Sequence, residues 1–313
     1  MYTEHRPYPQ APPPRRRRQR KPQRAEVVLA TVLAAGVVIA AGVMAWGSFK
    51  GAPNESSVVN SSTSNTAALP VVAPADKVAV APPSTWKLTF NSDFSGSTLD
   101  TDAWAPCFWW GLNGCTNFGN NGEDKEWYLP SQVKVSGGVL QLVAKHERTA
   151  GTTASGKPET YSCRSGMVTT QPSFNFEYGY IQMVARLPYG NGMWPAFWLS
   201  ASNKKWPPEI DVFEHWGAQA NAGIYLHPLD NIRQGGRVAA VGNLSKGWHT
   251  FTLSWTKNKL TWYIDDYQVF STTTSIPRQD MYLVANLADT STAANSCSGT
   301  MLVKSIKVWQ PAA

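Results

Sequence analysis

Residues 251–264 read Phe251-Thr-Leu-Ser-Trp255-Thr-Lys-Asn-Lys-Leu260-Thr-Trp-Tyr-Ile264, and this stretch decides the fold class. Phe251, Leu253 and Trp255 fall on one face of an extended chain, with Thr252 and Ser254 on the other. After Thr256-Lys-Asn-Lys259 the alternation resumes at Leu260, Trp262 and Ile264, so the pattern predicts an antiparallel hairpin. Working outward, strands are expected at Val139–Ala144, Tyr178–Leu187, Glu209–His215, Ala222–His227, Met281–Leu287 and Met301–Trp309, separated by Gly, Pro, Asn and Ser. No convincing helix and no internal repeat interrupts them. The expected class is all-β, an antiparallel sandwich or barrel.

Composition limits what such a domain can do. The chain of 313 residues carries 28 Lys+Arg and 21 Asp+Glu, a formal +7. Residues 1–25 hold eight of the basic side chains and one acid, so they carry all of that excess, and the remainder balances at 20 against 20. The folded part therefore offers no basic face, and no nucleic-acid partner is expected. Of the 14 Trp, 13 fall between Trp86 and Trp309.

Residues 26–49 are expected to form a transmembrane signal anchor, with a cleaved signal and a secreted form as the alternative. Their uncharged part, Val27 to Phe49, is 23 residues long, enough at about 1.5 Å per residue to cross a hydrocarbon layer of about 30 Å. The Arg15–Arg18 run before it predicts a cytoplasmic, disordered basic tail over 1–25 and an extracytoplasmic carboxyl-terminal domain. Residues 50–84, rich in Ser, Thr, Asn, Ala and Pro without periodicity, read as a flexible linker, and 85–313 as one domain, expected to be monomeric. The four cysteines lie on the outer side, where disulfides persist. Cys107 and Cys115 flank a short loop and are natural partners, which leaves Cys163 for Cys297. No Cys-x-x-Cys spacing exists and the histidines are scattered, so no zinc site is expected.

The chemistry centres on Trp206-Pro-Pro-Glu209-Ile-Asp211-Val-Phe-Glu214-His-Trp216, where three acids share six positions of an apolar, strand-like run. Buried like charges are costly and push one another's pKa values apart. On a regular strand Glu209 and Asp211 share a face and Glu214 points away; a β-bulge at Val212 and Phe213 restores the parity. Two carboxyl groups brought together in this way suit retaining glycoside hydrolysis, one as nucleophile and one as acid/base. Taken alone, the pattern is an edge strand with solvated acids. What precedes it reverses that reading: Gly179-Tyr-Ile-Gln182-Met-Val184-Ala-Arg186, then Gly192-Met-Trp194-Pro-Ala-Phe-Trp198-Leu199.

This combination resembles glycoside hydrolase family 16, over essentially 86–313. The likeness includes Asp93–Asp100, Ser165–Thr170, Trp248–Trp255, Asn286-Leu-Ala and Val303–Trp309. The resemblance implies a concanavalin-like jelly roll of two curved antiparallel sheets with an open cleft. It implies Glu209 as nucleophile, Glu214 as acid/base and Asp211 as supporting acid, with the proton on Glu214 in the free enzyme. It also carries Asn286 and Arg186 over as sugar contacts. Two departures stand out: Gln182 and Val184 replace the usual Glu and Arg of one strand, and Lys304 occupies the position of a calcium-binding Asp. No calcium and no other cofactor is therefore expected.

Tryptophan abundance fits a polysaccharide cleft, since flat rings cover the apolar faces of pyranoses. Trp109 and Trp110 in the Cys107–Cys115 loop, and Trp216 just past Glu214, are expected at its rim. For Trp194, as for Trp198, Trp255 and Trp262, core packing and sugar contact both remain open. The expected activity is a retaining endo-glycosidase acting on a β-linked polysaccharide: a β-1,3- or mixed glucan, or a bacterial exopolysaccharide. A transglycosylase on the same site and a non-catalytic carbohydrate-binding wall protein are the alternatives.

Overall fold

The computed structural model describes residues 81–111, 117–118, 125–153, 156–216, 221–227, 234–239, 243–290 and 297–312. The basic tail, the span expected at 26–49 and nearly all of the linker lie outside the described residues. No helix among the described residues is long and apolar enough to cross a membrane.

The strands, in chain order, are β1 (Trp86–Ser92), β2 (Asn117–Phe118), β3 (Glu126–Tyr128), β4 (Val133–Ser136), β5 (Val139–Thr152), β6 (Pro158–Ser165), β7 (Met167–Thr169) and β8 (Gly179–Arg186). They continue with β9 (Met193–Ala201), β10 (Glu209–His215), β11 (Asn221–His227), β12 (Gln234–Ala239), β13 (His249–Trp255), β14 (Leu260–Ile264), β15 (Tyr267–Thr272), β16 (Met281–Asp289) and β17 (Ser298–Pro311). The larger sheet runs β15-β14-β13-β8-β17-β5-β6-β3-β2, with β1 added on β17 and β4 on β5. The smaller runs β12-β11-β10-β9-β16-β7. Pairing is antiparallel except between β3 and β6, which is parallel.

The hairpin expected at 251–264 is present as β13 and β14, in the register Phe251↔Ile264 to Trp255↔Leu260. Its apolar face enters a core to which both sheets contribute: Ile181 and Met183 from β8 meet Phe197, Leu199 and Phe213 from β9 and β10. The rings of Phe213 and Phe251, one from each sheet, lie 4.1 Å apart between centroids. Burying each such side chain stabilises the fold by roughly 1.5–3 kcal/mol. The sandwich is also stapled by Cys163–Cys297, the pairing left by elimination, which ties β6 to the start of β17. Cys107 is disulfide-bonded too; Cys115, its expected partner, lies outside the described residues.

Candidate active site

Strand β10 is irregular where the acids sit. Against β9 its register runs Glu209↔Ser200, Ile210↔Leu199, Asp211↔Trp198, then skips to Phe213↔Phe197 and Glu214↔Ala196. Against β11 it is broken at the same place, between Asp211 and Glu214. The extra residue lets Val212 and Phe213, consecutive in sequence, both enter the core. Glu209, Asp211 and Glu214 consequently share the outer face, where all three line a cleft of about 600 Å³.

The neighbouring strands supply the floor by simple alternation. On β9, Trp194, Ala196, Trp198 and Ser200 line the cleft, every second residue. On β16, Asn286 and Ala288 do so, opposite Ala196 and Trp194. One wall is aromatic. Trp110 stacks on Phe108 at 4.2 Å between centroids, Trp109 stands edge-on to Trp110 at 5.3 Å, and Tyr128 meets Phe108 at 5.6 Å. Trp216 packs on Trp194 at 5.8 Å, beside the Glu214 end.

Indole N–H groups orient the polar residues. Trp194 Nε1 donates to Glu214 Oε1 at 3.0 Å, and Trp206 Nε1 donates to Glu209 Oε2 at 3.2 Å. The Asn286 amide is held from both ends: its Oδ1 accepts from Trp198 Nε1 at 2.8 Å and its Nδ2 donates to the Tyr128 hydroxyl at 3.0 Å. From the far sheet, buried Trp262 donates through Nε1 to the backbone carbonyl of Asp211, at 2.8 Å. The bulge is thus anchored from behind.

The Glu209 carboxyl is pushed well above the ordinary carboxylate range. Burial is the largest cause, followed by the charges of Asp211 and Glu214, with the Trp206 hydrogen bond opposing them. Asp211, only 3% exposed, adds its charge from between the two glutamates. Three carboxyls in so small a volume repel one another when all are ionised, so a proton is retained by the group as a whole.

The cleft is lined by seven of the nine residues expected from sequence, and Trp216 reaches it only through its packing on Trp194. Arg186 is the exception: it is exposed at the end of β8, in the other sheet, and lines nothing here. Gln182 sits on that same strand with its Nε2 3.5 Å from Thr252 Oγ1, away from the cleft, so its departure from the family pattern removes no sugar contact. Phe108, Tyr128, Trp206, Lys204 and Lys205 line the cleft unforeseen. For Trp198 the alternation with Trp194 settles the choice in favour of the cleft face. Among the described residues, the one grouping of metal-ligand types is Cys163, Asp289 and Cys297, whose sulfurs are spent in the disulfide. Lys304 lies with its ammonium 6.0 Å from the Trp248 ring centroid.

The model of "Glycosyl hydrolases family 16" matches residues 124–304. The endo-1,3-1,4-beta-glycanase EglC of Rhizobium meliloti is 31% identical over 236 residues, 70% of this chain and 50% of its own length. The endo-1,3-1,4-beta-glycanase ExsH of the same organism is 32% identical over 217 residues, 64% of this chain and 45% of its own. The chain thus spans about half the length of these curated relatives. Among solved structures, the catalytic domain of an endo-1,3-beta-glucanase (laminarinase) from Thermotoga petrophila superposes with a TM-score of 0.62 at 22% identity, covering 73% of this chain and 99% of that one. That likeness establishes the jelly-roll architecture.

Proposed function

The chain belongs to glycosyl hydrolases family 16, and from that membership we propose that it is a retaining endo-hydrolase of β-linked glucans, with Glu209 and Glu214 as its reacting groups. The observation that carries this reading is the bulge at Val212–Phe213, which turns Glu209, Asp211 and Glu214 onto one face of the cleft. Glu209 attacks the anomeric carbon as a carboxylate; the glycosidic C–O bond breaks and its oxygen takes the proton of Glu214. Ionised Glu214 then removes a proton from water, which attacks the same carbon and frees Glu209. The positive charge that develops on the sugar ring favours Glu209 as the anion, so the shared proton moves to Glu214 as the transition state is approached. Asp211 keeps the total charge of the group high enough for one proton to be retained near neutral pH. Trp194, Trp198, Trp109 and Trp110 cover the apolar sugar faces, while Asn286 holds Trp198 in place.

The amino-terminal third extends the proposal. The uncharged run Val27–Phe49 behind a basic tail supports a single-span anchor over 26–49 with the catalytic domain of 85–313 extracytoplasmic, and the aperiodic Ser, Thr, Asn, Ala and Pro of 50–84 support a tether between them. Protease added to intact cells is expected to release the domain and leave the tail protected.

The reaction is tested by incubating the full chain with laminarin and lichenan and following the anomer first released by proton NMR. The reading predicts oligosaccharides that appear as the β anomer. Products that appear first as the α anomer, or no cleavage of any β-glucan, would refute it.

A further inference from the structure

The turn between β9 and β10 places two cations on the cleft. Lys204 and Lys205 both line it. Their backbone is fixed: Lys204 N donates to the Ala201 carbonyl at 3.0 Å, and Lys205 N to Asn203 Oδ1 at 3.0 Å. Lys204 adopts a left-handed φ of 63°, a conformation that disfavours a residue with a side chain. Its ammonium is held over Trp109, 5.2 Å from the ring centroid, and that ring is 42% exposed. Directly after the two lysines comes Trp206, 62% exposed, whose indole donates to Glu209. The lysines therefore flank the rim at the Glu209 end of β10.

Neither lysine has a carboxylate partner among the described residues. Nor do they set the titration of Glu209: the influences acting on it are its burial, Asp211, Glu214 and Trp206, and no lysine is among them. An ammonium has donors only, so two of them are a poor choice for neutral hydroxyls, which both donate and accept. Two fixed positive charges beside a sugar-binding cleft, without a counter-ion from the protein, call for one from the ligand.

We propose that Lys204, Lys205 and Trp109 form an anion-accepting subsite at the Glu209 rim, so that the natural substrate is a β-glycan carrying negatively charged substituents. Trp109 packs against the sugar and holds Lys204 in place, and the two ammoniums meet the charged group. This subsite rests on the hydrolase reading and narrows its substrate class.

The test compares three substrates for the full chain: unmodified laminarin, hydroxyethyl-laminarin and carboxymethyl-laminarin at matched substitution, with sulfated laminarin as a second anionic arm. At low salt the carboxymethyl polymer is expected to show about five- to tenfold higher kcat/KM than the hydroxyethyl polymer. That ratio should fall toward one in about 0.5 M NaCl, because exposed charges are screened within a few ångströms there. It should also fall in the Lys204→Gln/Lys205→Gln double variant and be kept by Lys204→Arg/Lys205→Arg. The sulfated arm shows whether the subsite takes both anion types or carboxylate alone. A ratio of one or less in the unaltered protein, or a ratio that the double Gln variant leaves unchanged, overturns the subsite. Cleavage of unmodified laminarin in the same experiment keeps the hydrolase reading intact in that case, whereas failure to cleave any of these polymers strikes at the hydrolase reading itself.

Discussion

The β13–β14 hairpin and the β9–β10 pair are built from the same chemistry and put to opposite uses. In the hairpin the register is unbroken from Phe251↔Ile264 to Trp255↔Leu260, and its core face is wholly apolar. In the β9–β10 pair one residue is added, three acids crowd the cleft face, and one carboxyl is held far from its ordinary titration range. A regular strand maximises burial and pairing; an irregular one gives up some of both to converge groups that repel each other. The two meet through the Phe213 and Phe251 rings and through a hydrogen bond from Trp262 Nε1 to the Asp211 carbonyl, so the regular element holds the irregular one in place.

If this division holds, substitutions on the two sides should separate activity from stability. The largest effect is expected for Glu209→Gln and Glu214→Gln, each lowering kcat on laminarin by about a thousandfold or more while the melting temperature does not fall. On the hairpin side, Leu253→Ala should cost about 2–5 kcal/mol in denaturant unfolding and leave kcat unchanged at temperatures where the protein is folded. Trp262→Phe belongs to both regions. It leaves a buried carbonyl without its donor, which costs about 1–3 kcal/mol, and by loosening the bulge it should also lower kcat. A Trp262→Phe variant with normal kcat would break the link between the two elements.

Glu209 itself sharpens the contrast through pH. Its folded-state pKa lies above its unfolded value, so burial favours the fold only while the carboxyl is protonated. That contribution is fully present below about pH 4.3 and is lost as pH rises through the raised folded value. Glu209→Gln should therefore raise the melting temperature at pH 7 and hardly change it at pH 4. Equal effects at both pH values would mean that the carboxyl is not destabilised by its surroundings.

Much of this was legible in the sequence because period-two alternation is a local signal. It marked the hairpin, with His249 and Thr250 alone added at the start of β13, and it marked Glu209–His215 at the observed bounds. Val139–Ala144 proved to be the first half of β5. Residues 145–152 are polar and carry no alternation; backbone pairing with β6 and the Glu147–Arg164 ion pair, 2.9 Å, hold them extended. Strand β9 escaped because Pro195 argues against an interior strand. It is tolerated where pairing with β10 begins only at Ala196. The place of Arg186 away from the cleft was illegible for another reason: which sheet a residue joins is a property of the assembled sandwich.

The smallest expected effect lies in the hairpin's other turn. Asp265 and Asp266 both take left-handed conformations, φ 49° and 68°. Asp265 is committed, accepting from Thr250 N at 2.8 Å and meeting His249 Nδ1 at 2.5 Å. Asp266→Gly should raise unfolding stability by up to about 1 kcal/mol without touching kcat; no gain would mean that the turn carries no strain at that position.

The central claim is that the bulge makes Glu209 the nucleophile of a covalent sugar adduct. A 2-fluoro-β-glucosyl or laminaribiosyl fluoride slows release of such an adduct enough to weigh it. Mass spectrometry of the inactivated chain, after digestion, should find one added glycosyl group on the peptide containing residues 206–216, with fragmentation assigning it to Glu209. A label on Glu214 or elsewhere, or loss of laminarin cleavage on treatment with the fluoride but with no adduct on the chain, would contradict the account.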